Sequence, residues 1–456
     1  MIDKNKDLPA MKLIIKMSVP AMISMLITAL YNIVDSIFVS RLGDNALTAV
    51  SLAMPIQILI IAFGVGTGVG LSALISRKLG EKDYEYVDQT ANYAIPIGLI
   101  IGIFFAVFGF FFNQAFFEMF TDDPLIIEGG LEYTNLITLF AFTVTVQLLV
   151  EKAIQATGNM LAPMVIVLAG AITNIILDPL LIFGLLGFPA LGIRGAAIAT
   201  VIGQAISLVF GIIYFYRAKI GLKVGAPDFL FKKKIINDIM AVGLPAILMQ
   251  ALSSFLVFIL NNIVSVHSIV AVSVLGIYFK LQQFVFMPVF GVAQGIRPIE
   301  AYFYGAEKKD KLDEIFKKSK LLTSLVMLSG TAIFVIFAPS IVNIFNPSQE
   351  MYRLGVEALR LISISFFFAG LNIMYATLFQ STRDGKTSFI VSFLREFIII
   401  LPLSVILGRL MGLTGVWLSF VISEALTFLI TRTFLVKKSN ISKMTMKKKS
   451  LSKQFK

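Results

Sequence analysis

The chain has 456 residues, 57% of them hydrophobic and only 14% charged, with 41 phenylalanines and no cysteine. Soluble domains run at roughly 45–50% apolar and about 25% charged, so this composition, with a mean hydropathy of +0.88, excludes cytosolic, disordered and fibrous readings. Disulfides, thiolate metal sites and cysteine nucleophiles are excluded too, and with one histidine, His267, any metal site must be built from oxygen ligands. The net charge of +12 does not indicate nucleic acid as a partner, because it is parcelled into short segments between apolar runs rather than laid as a stripe on a soluble domain.

A helix rises about 1.5 Å per residue, so about 20 mostly apolar residues cross a hydrocarbon core of about 30 Å. Twelve segments meet that requirement: 13–40, 48–77, 91–113, 132–157, 161–187, 193–218, 236–264, 269–298, 320–344, 355–380, 387–409 and 413–436. The unbroken runs Ile95–Phe112 and Phe393–Leu407 are unlike the alternating segments of about 10 residues in a membrane β-barrel. The expected fold is therefore an all-α polytopic membrane protein, its partner the lipid bilayer.

The connections alternate in charge. Lysines and arginines crowd the N-terminus (Lys4, Lys6, Lys12) and the second (Arg77, Lys78, Lys82), sixth (Arg217 to Lys234) and eighth (Lys308 to Lys320) connections. Odd-numbered connections hold one or two at most, such as Arg41, Arg194, Arg353 and Arg409, and the third is acidic with Glu118, Asp122, Asp123 and Glu128. The positive-inside rule then puts both termini in the cytoplasm; the expected location is the cell's inner (plasma) membrane. The Lys- and Ser-rich segment 437–456 has no apolar period and is expected to be an irregular tail near anionic lipid.

At a shift of 225 residues the two halves match. Val19-Pro20-Ala21 meets Leu244-Pro245-Ala246, and Gly66, Gly70 and Gly80 meet Gly291, Gly295 and Gly305. Near the end the shift becomes 220, where Gly192 and Gly195 meet Gly412 and Gly415. The chain thus reads as a six-helix lobe (1–218), a cytoplasmic linker (219–235), a second six-helix lobe (236–436) and the tail (437–456). Six spans per half is an even number, so the 6+6 repeats are parallel and pseudo-symmetric about the membrane normal, as in secondary transporters.

An ionisable group near the bilayer centre costs at least about 2.5–3.5 kcal/mol, so each one is a functional candidate. Asp35 lies late in span 1, and Asn174 and Asp178, four apart and so on one face, lie late in span 5. Pro179 cannot donate to the carbonyl of Ile175, which frees an oxygen and favours a kink there. The position 225 after Asp35 is Leu260, and no acid stands at the Asp178 equivalent near Pro402. Acids confined to one half favour ion coupling over a scaffold role common to both. In the second half Gln250, Lys280, Arg395, Glu396 and Glu424 are the costly residues; Arg395 and Glu396 are adjacent and suited to pairing. Glu151 and Lys152, near the end of span 4, read as a pair that snorkels to the interface. Gly385-Lys386-Thr387 is no phosphate loop, since Gln380 stands where the first glycine would. Without a catalytic constellation the chain is not read as an enzyme.

The sequence resembles the multidrug and toxic compound extrusion (MATE) family over essentially its whole length to about residue 436. The segments carrying the resemblance are Pro20, Asp35 with Ser40-Arg41-Leu42-Gly43, Leu74 to Gly80, Gln155 to Asn159, Asn174 to Pro179, and Leu191 to Ala197. The resemblance implies a monomer that exports organic cations and amphiphilic drugs in exchange for protons or sodium ions, with no cofactor. It further implies an ion-coupling site, for proton or sodium, at Asp35, Asn174, Asp178 and Thr200, with Tyr31 and Tyr133 as cavity positions; Gln250 and Lys280 are the cavity candidates of the second half. The sodium-driven branch uses acids in spans 7 and 10, where this chain has Gln250 and no central carboxylate, which leaves the N-terminal acids as the coupling element. The alternative is a flippase for lipid-linked saccharides of the same superfamily, for which a cationic cavity is expected.

Overall fold

The structure is a computed structural model that describes residues 7–217, 222–225, 231–345 and 347–454, the side chains of Ser254 and of 436–454 excepted. Among the described residues every regular element is a helix. Span 1 is α1 (Ala10–Ser40) and span 2 is α2 (Asp44–Glu81); span 3 joins α3 (Tyr84–Asn92) to α4 (Ala94–Phe120). Span 4 is α5 (Pro124–Leu139) with α6 (Ala141–Ala156), span 5 is α7 (Leu161–Phe183) and span 6 is α8 (Gly192–Arg217). Then follow α9 (Lys233–Ser265), α10 (Ile269–Gly305), α11 (Lys309–Asn343), α12 (Gln349–Ser363) with α13 (Phe366–Ser381), α14 (Gly385–Phe393) joined by a π-turn at Leu394–Ile399 to α15 (Ile400–Met411), and α16 (Leu413–Gln454). Ten of these are long and apolar enough to cross a membrane. The pairs α5–α6 and α12–α13, each bent by 46°, bring the number to 12.

Several helices outrun the apolar segments, for local reasons. The eighth connection is already helical from Lys309, where Lys311 and Lys318 pair with Glu314 at 3.1 and 2.8 Å across one turn. Span 4 starts at Pro124, whose missing N–H costs nothing at a first helical position, and Asp123 caps it by accepting from the Leu125 amide. Of the linker expected at 219–235, residues 219–221 and 226–230 lie outside the described residues; the Lys223 and Gly225 amides donate to Asp88 and Asn92, at 2.8 and 3.2 Å. The tail 437–456, expected to be irregular, lies beyond the described side chains; α16 is drawn as helix to Gln454.

Two compact units divide the chain. The first comprises 1–251, 290–319 and 378–386, and the second 252–289, 320–377 and 387–456. Inside the first unit the repeat glycines are used reciprocally. A Cβ on Gly66 would stand 2.7 Å from the amide nitrogen of Ile247, and one on Gly291 would stand 2.9 Å from that of Met22, the repeat equivalent of Ile247. Gly70 faces the nitrogen of Gly243 at 2.8 Å, and Gly295 faces that of Ser18, again an equivalent, at 2.8 Å. Gly80 meets Tyr302 and Gly305 meets Arg77 in the same way. Small residues let these backbones touch, which is how apolar helices associate where the solvent is as apolar as they are.

Two apolar clusters are formed among the described residues of the first unit. One holds Leu74, Val87, Tyr93, Val146, Val150 and Phe215; the other holds Ile60, Phe105, Phe117, Tyr133, Ile137 and Ile182. The second cluster carries the site.

Candidate ion and substrate site

Late in α1, α7 and early in α8, polar side chains meet inside apolar packing. Asp178 is 0% exposed and Asn174 2%. One turn apart on α7, they face each other: Asn174 Nδ2 donates to Asp178 Oδ1 at 3.3 Å and to Thr200 Oγ1 of α8 at 3.5 Å. Gly203 makes room for this approach, since a Cβ there would stand 3.2 Å from Cβ of Asn174. Asp35, half-buried on α1, is close enough to act electrostatically on Asp178, on the Tyr133 hydroxyl and on Tyr31 one turn before it. Tyr133, 2% exposed on α5, accepts from Gln57 Nε2 of α2 at 2.8 Å and has Thr200 at its hydroxyl.

The hydrogen-bond accounting leaves three acceptors over. Asp35 Oδ1, Asn174 Oδ1 and Asp178 Oδ2 are buried and have no hydrogen-bond partner in the protein. Buried polar atoms are seldom left so, because each costs about 1–3 kcal/mol. All three are oxygens, two from carboxylates, so the arrangement favours a positive charge. Carboxylate, amide and hydroxyl oxygens suit hard cations and not transition metals. Among the described residues no three His, Asp or Glu side chains group to hold a metal ion.

Of the expected site residues, Asp35, Asn174, Asp178, Thr200, Tyr31 and Tyr133 come together, all in the first unit. Gln250 is exposed near the end of that unit's α9 segment, and Lys280 is exposed on α10 in the second unit. Gln57 is a member that sequence reasoning missed. Its signal was a lone amide in the apolar run from Pro55 to Ile61.

Glu151 and Lys152 require a correction. They do not snorkel: they are 5% and 4% exposed, and Gln155 donates to Glu151 at 2.7 Å while accepting from Lys152 at 3.0 Å. Gly68 of α2 explains the burial, since the stem of Lys152 fills the space a Cβ there would need. Nearby in the same unit, Arg383 pairs with Asp238, which also accepts from Tyr86 at 2.9 Å, and Ser381 donates to the fully buried Glu300 at 3.1 Å.

The second unit has its own polar network, in which Glu396 is buried and Arg395 and Glu424 are half-buried. Arg395 in the π-turn donates to Glu396 and, at 3.4 Å, to Glu424 of α16. Asn372 of α13 donates to Glu424 at 2.7 Å, and Ser253 to Glu396 at 3.2 Å. A π-turn adds a residue to the helix and so turns both Arg395 and Glu396 inward, which a regular α-helix does less well for neighbours.

A duplicated set of twelve spans with carboxylate, amide and hydroxyl oxygens buried inside them defines a multi-pass membrane transporter. The chain belongs to the MatE family, whose model matches residues 20–180 and again 245–406, once in each half. It is similar to the multidrug export protein MepA of Staphylococcus aureus, 29% identical over 423 residues and covering 92% of each chain. Among solved structures it resembles a MATE transporter in a bent conformation (TM-score 0.89, 26% identity, 96% and 97% of the two chains). It also resembles an outward-facing multidrug resistance MATE family transporter of the MOP superfamily (TM-score 0.88, 26% identity, 95% and 96%). The twelve-helix repeat fold read from the sequence is thereby established.

Proposed function

We propose that the chain is a secondary antiporter that exports organic cations and amphiphilic drugs, driven by inward flux of protons or sodium ions through Asp35, Asn174, Asp178 and Thr200. The observation carrying this reading is the set of three leftover acceptors, Asp35 Oδ1, Asn174 Oδ1 and Asp178 Oδ2, in one buried group. A positive charge suits them: a proton on either carboxyl turns one acceptor into a donor for a neighbouring one, and a sodium ion takes such oxygens as ligands. Tyr31 and Tyr133 supply aromatic faces beside the acids, suited to an organic cation. The similarity to a multidrug export protein supports the substrate class.

Transport against a gradient requires that ion and substrate bind the two access states unequally, because a ligand with equal affinity for both shifts nothing. In this reading ion and substrate compete for the same negative charge: ion entry removes the electrostatic hold on a bound cation. The chain works as a monomer in the plasma membrane, with both termini cytoplasmic and no cofactor beyond the coupling ion. The flippase alternative needs a cationic cavity for pyrophosphate, and the group at Asp35 is acidic.

The test is uptake of a fluorescent organic cation into everted vesicles, with a pH jump compared against a sodium jump. Uptake driven by either gradient supports the proposal and names the ion. Uptake indifferent to both, or driven only by ATP, defeats it.

A further inference from the structure

A pocket of about 400 Å³ lies in the second unit between α11, α13 and α16. Lys320, Tyr375 and Arg432 line it, with Ser324, Leu371 and Phe428 among the others. Among the described residues that line it there is no carboxylate. Lys320 Nζ sits over the Tyr375 ring at 5.3 Å, and Arg432 acts electrostatically on the same tyrosine. The residues are ordered by depth. α11 starts on the side toward which α13 and α16 run, so Lys320, Tyr375 and Arg432 form one rung. Ser324, Leu371 and Phe428, each four residues away, form a second rung about one turn, or about 6 Å, deeper.

The repeat supplies an internal control. At shifts of 225 and 220 the equivalents of Lys320, Ser324, Leu371, Tyr375 and Phe428 are Ile95, Leu99, Val146, Val150 and Leu208. All five belong to one packed apolar cluster of the first unit, with Val146 2% and Val150 0% exposed. The equivalent of Arg432 is Ile212. The fold therefore fills this place with hydrocarbon when nothing is to be bound. In the second half the same place is opened and made basic, which packing alone does not require.

We propose that this pocket binds an anionic phospholipid of the cytoplasmic leaflet. The phosphate lies between the Lys320 ammonium and the Arg432 guanidinium, whose planar fork matches two phosphate oxygens. The Tyr375 and Ser324 hydroxyls are additional donors, and the acyl chains run past Leu371 and Phe428 toward the membrane interior. Basic pockets between spans on the cytoplasmic side are suited to such head groups, and each Lys or Arg near an anionic surface contributes about 1 kcal/mol, a factor of about 5. The assignment to the cytoplasmic leaflet rests on the orientation proposed above; the binding itself does not.

Native mass spectrometry of the full chain in detergent tests it, since that readout is independent of orientation. Phosphatidylglycerol should add to the wild type in preference to phosphatidylcholine. The double variant Lys320→Ile with Arg432→Ile, which restores the residue types of the first half, should weaken that addition about 30-fold, and each single variant about 5-fold. Equal retention of the two lipids, or unchanged phosphatidylglycerol binding by the double variant, overturns the proposal. Displacement of the lipid by millimolar inorganic phosphate also overturns it, since the site would then be for free phosphate. Where the double variant does not fold, a photoactivatable phosphatidylglycerol is cross-linked to the wild type and the adducts mapped. Labelling centred on 320–324, 371–375 and 428–432 supports the site, and labelling elsewhere overturns it.

Discussion

The reciprocal glycine contacts make a prediction whose magnitude can be isolated by a paired substitution. Gly70→Ala puts a methyl group 2.8 Å from the amide nitrogen of Gly243 and closer still to the carbonyl of Ile239. Both neighbours are backbone, so no side chain can swing aside, and α9 must retreat. Overpacking of this kind costs about 1–3 kcal/mol. Alanine also favours a helix interior over glycine by about 0.8–1.0 kcal/mol, which would mask part of the cost. Gly276→Ala on α10 is the control: that helical glycine has nothing within 4 Å of an added Cβ, so it takes the propensity gain without a clash. The difference between the two variants is the contact term, and Gly70→Ala should be less stable than Gly276→Ala by about 1–3 kcal/mol. Unfolding in detergent by increasing sodium dodecyl sulfate, followed by circular dichroism, measures it. Gly295→Ala, facing Ser18, should behave like Gly70→Ala. If Gly70→Ala matches or exceeds Gly276→Ala in stability, the close backbone approach inside the first unit is not what holds those helices together.

Tyr133→Phe leaves Gln57 Nε2 without its acceptor and should cost about 1–3 kcal/mol, most of it recovered by adding Gln57→Leu; a double variant no better than the single one would break the assigned pair. Glu424→Gln weakens one of the two carboxylates paired with the half-buried Arg395 and should cost about 1–3 kcal/mol, read by the fluorescence of the only tryptophan, Trp417, buried on the same helix; unchanged stability contradicts the assigned pair. Pro179→Ala gives the Ile175 carbonyl a donor again and stiffens α7 beside Asp178, so turnover should fall more than substrate affinity, and the reverse pattern would separate Pro179 from the transport motion.

The legible parts of this molecule were those written at short range. Unbroken apolar runs mark spans wherever they exceed the hydrocarbon thickness, and the glycine spacing at 66, 70 and 80 repeats at 291, 295 and 305 because each set serves the other's equivalent helix. Asn174 and Asp178 could be paired from their separation alone, since one helical turn fixes which side chains meet. Partners across helices were not legible. Gln57 and Tyr133 are 76 residues apart, and Arg383 and Asp238 are 145 apart, so no periodicity connects them. Glu151 and Lys152 show why distance to an interface is a weak guide: their position near a helix end suggested snorkelling, but Gly68 on another helix decides that Lys152 lies inward. The π-turn at Leu394–Ile399 was equally hidden, because Arg395 and Glu396 read as ordinary helical neighbours until a slipped hydrogen-bond register turns both inward.

The central claim is that Asp35 couples an ion gradient to export, and the most direct measurement compares two fluxes in proteoliposomes holding Asp35→Asn. One is export of an organic cation driven by an imposed proton or sodium gradient. The other is exchange of labelled for unlabelled substrate with no gradient. Asparagine keeps the size of the side chain and the oxygen acceptor but removes the charge that the ion and the Asp178 carboxylate sense. Gradient-driven export should disappear while the protein still inserts, folds and carries measurable exchange. Gradient-driven export at the wild-type rate would show that the charge on Asp35 is not part of coupling.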